Sequence, residues 1–242
     1  MKYTSKYISS IIVLLFSLTI QAQDQKKDSV VIKTDRYGFR VGVDLFKLSR
    51  SFYEKNYKGL ELVGDYRLTK RYFIAGEIGN ENKTVTDDRL SFTTKGTYFR
   101  AGFDYNLYEN WLDMENKIYI GMRYGVSTFS QTLNSYTIYN RNDYFNETTS
   151  ISSGEKFGGL SAQWIEVVVG MNAKVWNNFY VGFSLRANKM MANNKPENFD
   201  NLYIPGFHRT YDGDFGVGFN YTVSYFFPIY KTKTTVTVKT KK

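Results

Sequence analysis

Residues 215–227 read FGVGFNYTVSYFF. Phe215, Val217, Phe219, Tyr221, Val223, Tyr225 and Phe227 share one face of an extended chain, and Gly216, Gly218, Asn220, Thr222 and Ser224 share the other. Seven apolar positions in strict alternation outrun the usual globular strand and match the ~9–11 residues that cross a bilayer when tilted. A period of 3.6 would scatter the same residues around a helix axis, so a helix is excluded.

The same period recurs in seven further stretches, at about 37–45, 59–68, 72–79, 96–107, 117–128, 163–175 and 179–188. One face is apolar in each, from Phe39, Val41, Val43 and Leu45 in the first to Phe179, Val181, Phe183 and Leu185 in the last of these seven. No charge falls on those faces, as lipid exposure demands, since Lys or Arg at the bilayer midplane costs ~2–4 kcal/mol. The connections alternate too. Thr69–Arg71, Tyr108–Asn116 and Trp176–Asn178 are short or modest, whereas 46–58, 80–95, 129–162 and 189–213 are long and polar. Short turns at one end and long loops at the other mark outer-membrane barrels. The expected fold is all-β: an eight-stranded antiparallel up-and-down transmembrane β-barrel of the outer-membrane type.

The opposite faces carry six bases, Arg40, Arg67, Arg100, Arg123, Lys174 and Arg186, and six acids, Asp44, Glu61, Asp65, Glu77, Asp104 and Glu166. Choosing the apolar parity makes the other face polar but does not force the signs to balance. An eight-stranded barrel is just wide enough for side chains to fill it, and buried charges there must be paired. The lumen is expected to be filled by a neutralised network, with Gly42, Gly102, Gly121, Gly125, Gly170 and Gly182 making room. A selective channel would show an excess of one sign.

Lys2 and Lys6 precede an apolar run from Ile8 to Ile20 and then Gln21-Ala22-Gln23, the pattern of a secretory signal peptide over 1–22. The barrel is expected over 37–230, between a periplasmic segment at 23–36 and a basic periplasmic tail at 231–242. An even strand number puts both termini in the periplasm. The chain holds 21 Tyr, 19 Phe and no Cys, which suits aromatic girdles and excludes disulfides and thiol chemistry. The net charge of +9 points to anionic lipid, including lipopolysaccharide, rather than to nucleic acid, which an exported protein does not meet.

Candidates for chemistry are few. The one histidine, His208, sits in Pro205-Gly206-Phe207-His208-Arg209 with no flanking Ser and carboxylate, and reads as a dispensable surface residue. Asp200, Asp212 and Asp214 lack calcium-loop spacing, so no metal, cofactor or catalytic residue is expected. The 131–160 stretch, with Tyr136, Tyr139, Asn140, Tyr144 and Phe145, has the composition of an adaptable recognition loop and equally fits a strand pair standing above the membrane. In the tail, Lys231, Lys233, Lys239, Lys241 and Lys242 are candidates for a periplasmic contact, leaning on headgroups or adding a strand to a partner.

Gln21-Ala22-Gln23, Gly38-Phe39-Arg40-Val41-Gly42-Val43-Asp44-Leu45 and Tyr57-Lys58-Gly59-Leu60-Glu61-Leu62-Val63-Gly64-Asp65-Tyr66-Arg67 resemble an uncharacterised family of small outer-membrane barrels from Bacteroidota-type bacteria. The resemblance implies a barrel in the size class of OmpA and OmpX and an accessory role in a larger outer-membrane complex. The expected function is therefore a non-enzymatic barrel, a subunit of assembly or secretion machinery for other outer-membrane proteins, with outer-membrane or periplasmic proteins as partners. A surface-binding or adhesion barrel is the alternative, ahead of a small channel or a lipid-modifying enzyme at the rim.

Overall fold

The computed structural model describes residues 30–108, 115–138, 150–197, 199–209 and 214–237, with side chains from Thr34 to Lys233 within those ranges. The elements are β1 (Val30–Asp44), α1 (Leu45–Tyr53), β2 (Tyr57–Arg67), β3 (Tyr72–Thr86), β4 (Leu90–Asn106), β5 (Lys117–Thr137), β6 (Ser150–Trp176), β7 (Phe179–Asn194) and β8 (Phe215–Thr237). Consecutive strands pair antiparallel and the sheet closes on itself as an eight-stranded up-and-down barrel. At the closing seam the β1 backbone comes very near β8. A Cβ at Gly38 would lie 2.0 Å from the Phe227 carbonyl oxygen, so only glycine fits there. Outside the same seam Tyr37 stacks on Tyr230 at 5.0 Å and Phe39 on Phe227 at 4.9 Å.

The period-two faces divide as expected. Phe39, Leu62, Ile78, Phe103, Met122, Val169, Leu185 and Phe219 are all at least 40% exposed, although each belongs to a regular strand. A soluble monomer rarely exposes an apolar patch beyond a few hundred Å2, and here the apolar band runs around the whole barrel. The fold is of the outer-membrane barrel type. Among the described residues no helix is long and apolar enough to cross a membrane.

Several boundaries differ from the sequence reading. The 80–95 stretch is a hairpin: β3 and β4 stay in register out to Thr86 and Ser91, and only Asp87–Arg89 turn. β5 and β6 likewise pair out to Thr137 and Ser150. Polar residues on both faces end the apolar signal at the membrane edge without ending the strand. The 46–58 stretch holds α1, and Leu45, expected as the last lipid-facing residue of strand one, opens that helix. Asp44 is its N-cap, accepting from the backbone N–H of Phe46 at 2.8 Å and of Lys47 at 3.3 Å. β1 begins at Val30 and β8 runs to Thr237, beyond the 37 and 230 expected for the barrel. The compact body comprises 35–232, and its two ends lie with the short turns because the strand number is even. Residues 1–22, expected to be a signal peptide, and residues 23–29 lie outside the described residues.

Candidate functional site

The lumen of the 35–232 body has two layers. Nearer the short turns it is ionic. Arg100 is the hub, with Nη2 2.5 Å from Glu61, Nε 2.9 Å from Glu77 and Nη1 3.4 Å from Glu166. Arg186 bridges Glu77 at 2.8 Å and Glu166 at 2.9 Å. Lys117 lies 3.1 Å from Asp65 and 2.8 Å from Asp104, Arg123 is 2.6 Å from Asp104, and Arg40 is 3.6 Å from Asp65. Strand register makes these meetings possible. Arg40 stands opposite Asp65, Glu77 opposite Arg100 and Arg123 opposite Glu166, all on inward-facing positions. Aromatic faces take up part of the cationic charge, with Arg40 4.5 Å from the Tyr180 centroid and Lys117 4.2 Å from that of Tyr119.

Of the twelve charges assigned to the lumen, nine join this network, and three do something else. Asp44 is buried but spent on capping α1 and on accepting from Asn220 Nδ2 at 2.5 Å. Arg67 sits at the short-turn end, 3.3 Å from Asp35. Lys174 is half-exposed near the β6–β7 turn, outside the buried network, because the barrel wall ends there. Three network members were missed by the sequence reading: Lys47, Glu81 and Lys117. Lys117 shares the parity of Tyr119 and Arg123 and opens the strand expected at 117–128, so carrying the inward parity to its first residue would have found it. Glu81 shares the parity of Glu77, two residues beyond the strand expected at 72–79. Lys47 needed recognition of Asp44 as a helix cap. With these, six cations (Arg40, Lys47, Arg100, Lys117, Arg123, Arg186) face six carboxylates (Glu61, Asp65, Glu77, Glu81, Asp104, Glu166).

Toward the long connections the lumen is apolar, which the sequence reading did not foresee. The segment after β7 folds inward, and Ile204 bridges His208. Ile204 and Phe207 are fully buried among Tyr98, Phe129, Leu160, Trp164 and Met190. The Trp164 and Phe207 rings meet edge to face at 5.8 Å. Trp164 Nε1 donates to Glu166 at 2.6 Å, which ties the apolar layer to the ionic one. Gln131 holds the approach to the turn, donating to the Asp200 carbonyl at 2.9 Å and accepting from Leu202 N–H at 3.2 Å.

Glu81 is the junction of the turn, the helix and the wall. It accepts from Tyr203 Oη at 2.8 Å, Tyr57 Oη at 3.2 Å and Gly206 N–H at 3.3 Å, and lies 2.7 Å from Lys47 Nζ. Burial, with the nearby Glu81 carboxylate, holds the Tyr203 phenol well above its ordinary range. His208 is not the surface residue expected. Its Nε2 is 3.3 Å from Glu81 Oε1, its ring stacks on Tyr203, and its side chain is 30% exposed. The remaining space in the ionic layer is a cavity of about 50 Å3 between Arg40, Asp65, Glu77, Asp104, Lys117 and Arg186. That is room for a few waters, since ~10–15 Å3 of such space holds one.

The other candidates are dispersed. Tyr136 lies in β5 opposite Leu90 and Ile151, in the raised strand pair, while Tyr139, Asn140, Tyr144 and Phe145 lie outside the described residues. Lys231 and Lys233 are exposed on β8, and Lys239, Lys241 and Lys242 lie outside the described residues. Among the described residues no group of three or more His, Cys, Asp or Glu side chains is placed to hold a metal ion.

The structure is similar to that of Ail, the attachment invasion locus protein of Yersinia pestis, at 14% identity over 86% of this chain and 100% of that one, with a TM-score of 0.37. The structure of Ail in complex with the heparin analogue sucrose octasulfate matches at 13% identity over the same shares, with a TM-score of 0.35. No curated protein is significantly similar in sequence. The family described as a domain of unknown function (DUF6048) matches residues 4–232, and the chain belongs to that family.

Proposed function

We propose that this protein is a sealed, non-enzymatic barrel of the outer membrane that works through its surfaces, as a structural or accessory subunit of an envelope complex. The observation that carries the reading is the double closure of the lumen. Six cations and six carboxylates fill the lower layer and its junction with the upper one, and Ile204 and Phe207 cap the upper layer at 0% exposure. Among the described residues a lumen closed in this way leaves no path for a solute and no open interior site, which favours lipid and protein as partners. The raised strands offer a protein surface. β6 begins at Ser150 but β7 ends opposite Ser161, so residues 150–160 of β6 have no β7 neighbour, and such an edge can accept a partner strand.

The test joins conductance to co-purification. Reconstituted in planar bilayers, the protein is expected to show no stable openings; steady single-channel currents would refute the sealed-subunit reading. Extracted in mild detergent after cross-linking in native membranes, it is expected to bring other envelope proteins with it. The narrower placement in assembly or secretion machinery rests on which chains those are. Recovery of the protein alone, with the 138–150 connection freely cleaved on intact cells, would favour a surface-binding barrel instead.

A further inference from the structure

We propose that α1 is a lipid-facing section of the barrel wall, seated at the boundary between hydrocarbon and headgroups; this rests on the reading of the chain as a membrane barrel. β1 is too short for the barrel it closes. Its pairing with β2 stops at Val43 opposite Leu62, while β2 continues to Tyr57 with β3 as its one strand neighbour. On the other side, Gly42 lies against Val223 and Ser224, so β1 has ended where β8 still runs back to Phe215 along β7. A gap is left between the upper parts of β2 and β8. The helix fills it. Phe46 packs on Phe219 at 4.5 Å, and Asn220 of β8 donates to Asp44. On the β2 side the Ser51 hydroxyl accepts from Gly59 N–H at 2.7 Å and donates to the Gly59 carbonyl at 3.0 Å, satisfying backbone groups that β1 would otherwise have paired.

The polarity of α1 is the reverse of a soluble helix. The inward face carries Lys47, which is 3% exposed and ion-paired with Glu61 and Glu81. The outward face carries Leu45, Leu48 and Phe52, three and four residues apart and therefore aligned, with Phe52 84% and Tyr53 68% exposed. Both flanks are at the same level and equally apolar: Leu60 and Leu62 on β2 are 48% and 44% exposed, and Val217 and Phe219 on β8 are 65% and 44%. The helix thus continues the lipid-facing band across the gap. Exposed Lys55 and Lys58 follow directly, where ammonium groups reach anionic headgroups while aromatic side chains sit at the interface. The occupant of this face is the bilayer itself.

The chain has no cysteine, so a nitroxide can be placed at one position at a time. F52C, with Y53C as a second position on the exposed face, would be labelled in vesicles of phosphatidylcholine and phosphatidylglycerol. F103C on the mid-barrel exterior and D88C in the exposed β3–β4 turn serve as references. The readout is the ratio of collisions with dissolved oxygen to collisions with a water-soluble nickel chelate. At F52C the ratio is expected to be several-fold above that at D88C and toward that at F103C. Ratios at F52C and Y53C equal to D88C, with F103C in lipid, would overturn the helix assignment and leave the barrel in its membrane. F103C equal to D88C would overturn the membrane reading and the helix assignment together.

Discussion

Replacing Arg100 with alanine probes the ionic layer at its hub. Three carboxylates lose a cation at once: Glu61 at 2.5 Å, Glu77 at 2.9 Å and Glu166 at 3.4 Å. The site is 2% exposed, so water does not replace the guanidinium at no cost. Removing one partner from a buried ion pair costs ~3–5 kcal/mol. Lys47 stays on Glu61, and Arg186 stays on Glu77 and Glu166, so the lower part of that range applies. With a urea slope of about 1–3 kcal/mol/M, a loss of about 3 kcal/mol lowers the midpoint by about 1–3 M. The assay is urea titration of the vesicle-folded barrel, followed by the gel-mobility difference between folded and unfolded chains. Adding Glu61→Gln to Arg100→Ala should restore part of the loss, because one uncompensated carboxylate is removed; coupling of this kind runs to about 0.5–3 kcal/mol. A midpoint indistinguishable from the parent, or strict additivity in the double variant, would refute a coupled charge network. Conductance should stay absent in Arg100→Ala, since Trp164 and Phe207 still close the upper layer.

Phe207→Ala removes a fully buried ring from the apolar cap and should cost ~3–5 kcal/mol, with faster proteolysis near Arg209 as the check on where the opening occurs. Gly206→Ala should also destabilise the cap, read as a lower urea midpoint, because φ is +83° and the new Cβ would lie 2.5 Å from the Tyr98 ring. Tyr203 has a phenol raised above the ordinary ~10, so its share of stability is complete below about pH 10 and is lost as pH rises through the folded value. Tyr203→Phe should therefore flatten the alkaline loss of stability above about pH 10, and an unchanged alkaline profile would contradict the buried Tyr203–Glu81 contact.

The period-two code was legible because a barrel strand in lipid has only two environments. Every position from Phe39 to Phe227 that had to face hydrocarbon is apolar, and parity alone sorted Arg100, Arg123, Glu77 and Glu166 to the interior. The signal faded where the environment did. Beyond the membrane edge both faces of β3, β4, β5 and β6 are polar, so Glu81 and the raised hairpins read as loop although the hydrogen-bond ladder continues through them. What the chain determined by itself was the strand count, the exterior, and the presence of balanced interior charge. Which charge meets which was decided by register and by closure of the ring, which set Arg186 of β7 beside Glu77 of β3, 109 residues away. The apolar cap and the wall helix were decided the same way. Ile204 and Phe207 are buried only because the barrel mouth is there to receive them, and Lys47 points inward because a shortened β1 leaves a gap at that place. These are contacts between residues far apart in sequence, and no local pattern records them until the cylinder has formed.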